Sequence, residues 1–292
     1  MPYSAVGHVP AARTARAAQR FSAAHPGVVA AGRAGWCAKG VVYVVAGGLI
    51  LAVAAKASGW AATAAADEEA SPTGAFASVA GSTGGTALLG LLAAGMLLYA
   101  GWRLVTAALP GGTDTSAILH RAGYVVSAVM YMTFAITAIA LARNSRADED
   151  GNQRVSDISQ SVMSYTAGRL LVGLVALIVV AAGVYRVSKG LRVDVTDEMN
   201  LAGMSPERVC WTKRVGAVGE VGRGVGIGLV GFFLLRSAIT YHASEATGLD
   251  GALRRLAVQP WGQVVVALIG VGFVAYGVFC LATFTHRQLQ AP

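Results

Sequence analysis

Charged side chains are scarce in this chain. They make up 13% of its 292 residues, against about 25% in an ordinary soluble domain. So little charge cannot cover a water-facing surface, which argues against a soluble helical core. Cysteine is scarcer still. Cys37, Cys210 and Cys280 form no CxxC motif and cannot all pair, so three free thiols are expected. The five histidines, His8, His25, His120, His242 and His286, show neither HxxxH nor HExxH spacing. No metal or haem ligand set emerges from them. No Ser/His/Asp group and no paired intramembrane carboxylates are visible. No catalytic residue is therefore assigned, no cofactor is expected, and the chain is not read as an enzyme. Residues 1–32 lack the apolar core of a signal peptide, so a cleaved leader is not expected.

Apolar sequence is abundant: hydrophobic residues are 55% of the total. A helix needs roughly 20 consecutive apolar residues to cross a bilayer core. Six stretches qualify, at about 35–55, 86–108, 121–142, 168–187, 216–238 and 262–284. The 37 glycines are many for helices in water, where each costs up to ~1 kcal/mol relative to alanine. In lipid they let helix backbones approach closely. Gly222 with Gly226, and Gly224 with Gly228, have that small-xxx-small spacing.

The apolar stretches repeat. Gly35, Lys39, Gly40, Tyr43 and Gly47 match Gly123, Ser127, Ala128, Tyr131 and Ala135, and both sets match Gly219, Arg223, Gly224, Ile227 and Gly231. Gly35 and Gly123 are 88 residues apart, and Gly219 lies a further 96 along. The following stretches match as well. Gly95, Tyr99, Ala100, Trp102 and Arg103 align with Ile178, Ala182, Gly183, Tyr185 and Arg186, and with Gly272, Tyr276, Gly277, Phe279 and Cys280. A short segment of helical spacing precedes each second stretch: Phe76/Val79, Ile158/Val162 and Leu253/Leu256. The unit is long helix, loop with a short amphipathic helix, long helix, and it occurs three times.

The fold class expected is therefore all-α and polytopic. Six transmembrane helices form three parallel two-helix repeats, at 33–108, 120–191 and 214–286, after a basic tail at 1–32. An even number of spans per repeat makes the repeats parallel, so pseudo-threefold symmetry about the membrane normal is the simplest arrangement. Lys39, Ser127 and Arg223 would then form one layer near one face, with Tyr43, Tyr131 and Ile227 a turn deeper. Lysine and arginine concentrate in the tail, the 109–120 and 188–213 links and the carboxyl end. The positive-inside rule puts these, with both termini, in the cytoplasm. A plasma-membrane location is expected, with the basic excess of the cytoplasmic side, which accounts for the chain's net charge of +8, facing anionic lipids of the inner leaflet. Nucleic acid is not expected as a partner, because it needs a soluble basic surface. In the tail, Arg13, Arg16 and Arg20 share a helix face, and Pro26 ends that pattern.

The residues Gly35–Lys39–Gly40–Tyr43, Gly123–Tyr131 and Gly219–Arg223–Gly224 carry a resemblance. So do Tyr99/Trp102/Arg103, Gly183/Tyr185/Arg186, Tyr276/Gly277 and the segment GALRRLAVQPWG at 251–262. Together they resemble an actinobacterial membrane family known as domain of unknown function 1206. The resemblance spans about 33–286. The second copy departs from it, with Ser127 and Ala128 where the family tends to have a basic residue and glycine. It implies three two-span repeats in a membrane and supplies no catalytic residues.

Four residues make up a candidate intramembrane polar site: Glu220, Arg223, Lys39 and Ser127. An ionisable side chain inside a span is a functional hypothesis, because leaving it unpaired in lipid costs at least ~2.5 kcal/mol. Glu220 and Arg223 could line a cavity or bind an ion. Alternatively Arg223 snorkels to the cytoplasmic surface and pairs with Glu220 for packing, and Lys39 does likewise. Arg33, Arg103, Arg121 and Arg186 read as topology anchors and headgroup contacts, with substrate ligands as the alternative. Trp60 and Trp261 read as interfacial belt residues, and Asp67, Glu68 and Glu69 as a solvated acidic loop. The glycine faces and apolar mid-helix positions favour a non-catalytic scaffold or accessory subunit, with other membrane-protein subunits as partners. The alternative is a small transporter or channel with a path near the threefold axis.

Overall fold

The computed structural model describes residues 24, 26–59, 70–71, 76, 84–108, 115–143, 151–163, 168–195, 199, 204–240, 242 and 245–286. Among them the chain is helical and forms no β-sheet. Six helices are long and apolar enough to cross a membrane. They are α1 (Pro26–Ala57), α2 (Gly85–Ala108), α3 (Thr115–Arg143), α5 (Gly168–Leu191), α6 (Pro206–Thr240) and α8 (Gly262–Thr283). Two shorter helices, α4 (Gly151–Met163) and α7 (Leu249–Ala257), lie in the loops before α5 and α8. The segments read from Ile158/Val162 and Leu253/Leu256 fall in these two. Of the first such segment only Phe76 is described, fully buried and helical. Arg13, Arg16, Arg20, Trp60 and Asp67 to Glu69 lie outside the described residues.

Two helices start earlier than the apolar stretches suggest. α1 begins at Pro26, inside the expected tail, and α6 at Pro206, inside the expected 188–213 link. At Pro206 the proline suits a helix start, where its missing N–H has no intrahelical partner; ahead of Pro26, Ala24 is already helical. At 32 and 35 residues these helices are about 50 Å long. That exceeds a hydrocarbon core of about 30 Å, so their first turns project from it. Apolar runs mark only the lipid-buried part of a helix, so both helices extend beyond the runs they contain.

Neighbouring helices pack in the order α3, α2, α1, α8, α6, α5. Small residues set these contacts. A Cβ added at Gly222 on α6 would stand 2.5 Å from Gly272 Cα on α8, and one at Gly219 would stand 2.6 Å from Tyr276 Cα. On α1, Gly47 faces α8 in the same manner, with Val274 N at 2.7 Å from such a Cβ. Gly224 abuts Gly183 and Val187 of α5. The expected small-xxx-small glycines Gly222, Gly224 and Gly226 are thus covered within the chain. They do not form an exposed face.

On the side away from the termini the core is apolar, with Ala46, Ile50, Leu89, Ala135, Ala138 and Val266 fully buried. The loops there are tied by charge. Asp250 of α7 is buried and accepts hydrogen bonds from Ala70 N–H (2.8 Å) and Arg254 Nε (2.8 Å). Glu245 accepts from Thr240 Oγ1 (2.9 Å) and pairs with Arg236 (3.0 Å). The Thr240 hydrogen bond and then Arg236 hold its carboxyl below the usual glutamate range.

The glycine contacts generate a contrast. Overpacking a helix contact costs typically 1–3 kcal/mol. Gly222→Ala should therefore lower the thermal unfolding midpoint in detergent by several degrees. Gly101→Ala, where a Cβ meets nothing within 4 Å, should leave it unchanged or raise it. Equal midpoints for the two variants would refute this packing.

Candidate functional site

A cavity of about 500 Å³ lies where α2 and α5 end and α3 begins. Its lining brings together all four residues of the expected polar site, Lys39, Ser127, Glu220 and Arg223. The arrangement differs from simple snorkelling. Lys39 is 4% exposed and Arg223 is 3% exposed, so neither reaches the surface.

Aromatic rings hold Lys39. Its Nζ lies 4.6 Å from the ring centroid of Trp36, 5.1 Å from Tyr99 and Tyr131, 5.2 Å from Tyr276 and 6.0 Å from Tyr43. All five rings are buried. Each close ring contributes roughly 0.5–2 kcal/mol to a desolvated cation, so together they offset much of the cost of burial. Among the described residues Lys39 enters no ion pair. Helical spacing supplies two of the five rings. Trp36, Lys39 and Tyr43 stand at i, i+3 and i+7 on α1, one face of the helix. Tyr99 and Tyr276 come from equivalent places in two repeats. Trp36 is fixed by its indole N–H donating to Thr283 Oγ1 at 3.2 Å.

Arg223 lies beside the same cluster, 3.9 Å from the Tyr276 centroid and 4.7 Å from that of Tyr43. Its guanidinium pairs with Glu220 at 3.4 Å, and Arg186 of α5 pairs with the other carboxylate oxygen at 3.1 Å. Arg103 donates from Nε to Tyr99 Oη at 2.9 Å and stacks on Tyr99 and Tyr124, each 5.1 Å away. Arg103 and Arg186 are therefore cavity residues, a correction to their reading as anchors. Their side chains turn inward because a tyrosine and a carboxylate await them. Lys189 and His120 also line the cavity, and Ser127 stands at the place of Lys39 and Arg223 in the second repeat.

The charge balance is one-sided. Lys39, Arg103, Arg186, Lys189 and Arg223 face the cavity, against Glu220 as its one carboxylate among the described residues. Of the residues that line the cavity, two have a buried donor atom with no hydrogen-bond partner among the described residues, Tyr131 Oη and Arg223 Nε. The cage is filled by Lys39, so it does not suit a second cation. No group of three His, Cys, Asp or Glu residues able to hold a metal occurs among the described residues. Trp36, Tyr124 and Lys189 were not singled out in the sequence. The i, i+3, i+7 spacing of Trp36, Lys39 and Tyr43 was the signal that could have found the first.

The family described as Domain of Unknown Function (DUF1206) matches residues 34–109, 122–192 and 218–283. The chain belongs to that family. It contains the family's segment three times over, in a multi-pass membrane fold. The chain is also similar to the uncharacterized protein YxxB of Bacillus subtilis (strain 168). The two are 26% identical over 261 residues, covering 88% of this chain and 90% of that protein. No solved structure matches.

Removing Glu220 and removing Lys39 should have opposite consequences. Glu220→Gln leaves two arginines without their carboxylate and should destabilise by about 3 kcal/mol. Lys39→Met removes a buried cation from an aromatic cage and should leave stability unchanged or higher. Thermal unfolding of both variants in one detergent checks the pair. A large loss of stability in Lys39→Met would show that the cage depends on its cation.

Proposed function

We propose that this chain is a non-catalytic membrane protein that binds an anionic molecule, carrying phosphate or carboxylate groups, in its basic cavity. The observation that carries this reading is the excess, among the described residues, of five cavity-lining cations over one carboxylate, with the Tyr131 Oη and Arg223 Nε donors buried beside them. Guanidinium groups match such oxyanions with paired N–H donors. In a partly desolvated cavity their attraction is weakly screened.

The cavity faces the cytoplasm of the plasma membrane, as the distribution of lysine and arginine suggests. Transport along the bundle axis needs a second conformation, because the half beyond the cage is packed with Ala46, Ile50 and Leu89. A role as scaffold or accessory subunit draws its support from the exposed apolar faces of α3 and α5, such as Val129 and Leu174. It draws less from the glycines of α6, which are spent inside the chain.

Calorimetric titration of the detergent-solubilised protein tests the proposal. Glycerol 3-phosphate, inorganic phosphate and dicarboxylates should bind saturably, and neutral analogues should not. Binding should weaken with added salt, and by about tenfold in Arg186→Gln, the worth of one charge-assisted contact. No binding of any anion at millimolar concentration would sink the reading. For the side, a membrane-impermeant thiol reagent should label exposed Cys210 only after cells are opened. Labelling of intact cells would reverse the orientation.

A further inference from the structure

The ring of helices is closed everywhere except within the second repeat. α1 packs on α2, and α6 on α8, but α3 and α5 make at most marginal contact. The sequence explains the difference at matched positions. In the first repeat the contact is made by Ala38 and Gly95, and in the third by Gly222 and Gly272. The second repeat has Val126 and Ile178 in those places, and they are 67% and 60% exposed. In the other repeats a glycine also meets a tyrosine: Gly35 meets Tyr99, and Gly219 meets Tyr276. Here the glycine is Gly123, which meets nothing within 4 Å, and the tyrosine's place is taken by Ala182. Two larger, β-branched residues stand where the other repeats make their close small-residue contact, and an alanine stands where they place a tyrosine.

This cleft runs into the cavity. Leu119, Gly123, Ser127 and Met130 of α3 line one wall, and Tyr185, Arg186 and Lys189 of α5 line the other. Arg186, 36% exposed at its side chain, stands where this cleft meets the cavity. We infer that the ligand is an anionic membrane lipid. Its phosphate headgroup sits among Arg103, Arg186 and Arg223, and its acyl chains leave between α3 and α5 past Val126, Met130 and Ile178. The occupant follows from complementarity at two levels. The cavity presents positive charge near the end of the spans, where headgroups lie. The cleft presents apolar side chains deeper in the spans, where acyl chains lie. The inference rests on the anion-binding reading and names the class of its ligand.

The test uses the full chain in nanodiscs of phosphatidylcholine. A small fraction of phosphatidylglycerol carries a photoactivatable diazirine in its acyl chain. Crosslinks should map to Val126, Met130, Ile178 and Ala182. Unlabelled phosphatidylglycerol should compete them away, and added phosphatidylcholine should not. Ala182→Tyr, which restores the residue of the other repeats, should reduce the crosslinking by about tenfold while glycerol 3-phosphate binding persists. Should that variant fail to fold, the crosslink map of the unaltered protein decides alone.

Crosslinks spread evenly over all lipid-facing helices would overturn the inference. So would equal competition by phosphatidylcholine, or a second protein chain seated between α3 and α5. If glycerol 3-phosphate binds and the lipid does not, the anion site stands and its lipid ligand falls. If neither binds, the anion reading falls too.

Discussion

An ammonium and a guanidinium lie inside this bundle, and aromatic rings keep them there. Lys39 and Arg223 share the faces of Tyr43 and Tyr276. In lipid, a bare cation at that depth is unfavourable by at least ~2.5 kcal/mol. The ring faces, negative at their centres, replace part of the lost hydration. The rings must be delivered from α1, α2, α3 and α8 to within a few ångströms of one point. That requirement makes close helix approach necessary, and the glycine contacts at Gly35, Gly47, Gly219 and Gly222 provide it. Charge and backbone packing are in this sense one constraint. Neither the cage nor the tight bundle is understandable without the other.

The second repeat stands outside that constraint. It contributes Tyr131 to the cage and Arg186 to Glu220, yet its own two helices do not close on each other. Repeats that begin alike are free to diverge where the others already hold the structure. In this chain the divergence falls on the residues that would otherwise seal the ring. Bulk at Val126 and Ile178 and lack of bulk at Ala182 act together. At the first two positions the small residues of the close contact are missing, and at the third the tyrosine is.

Much of the fold was legible because it depends on periodicity and length. The six spans and the threefold recurrence follow from apolar runs and from residues such as Gly35, Gly123 and Gly219, which recur at matched places. The polar layer of Lys39, Ser127 and Arg223 was legible for the same reason, and the three do meet at one cavity. Where Lys39 and Arg223 point was not legible. A cation near the end of a span can reach the surface or turn inward, and the choice depends on rings supplied by other helices. Arg103 and Arg186 were misread for the same cause. The partner that turns Arg103 inward is Tyr99, one turn away on the same helix, but Arg186 is claimed by Glu220 on the next long helix. The open second repeat was visible as weaker similarity, but similarity alone does not say that a contact has been lost.

The neighbour that α1 packs against most extensively, α8, is the sixth of the six long helices described. Trp36 donates to Thr283, 247 residues further on. During synthesis the first span therefore enters the membrane long before Tyr276 exists to cover Lys39. Until the final helix arrives, the lysine must be held by lipid headgroups, water or the insertion machinery. The finished cage is thus a seal set only on completion, and a chain that stops short of α8 carries its own mark of incompleteness into the bilayer.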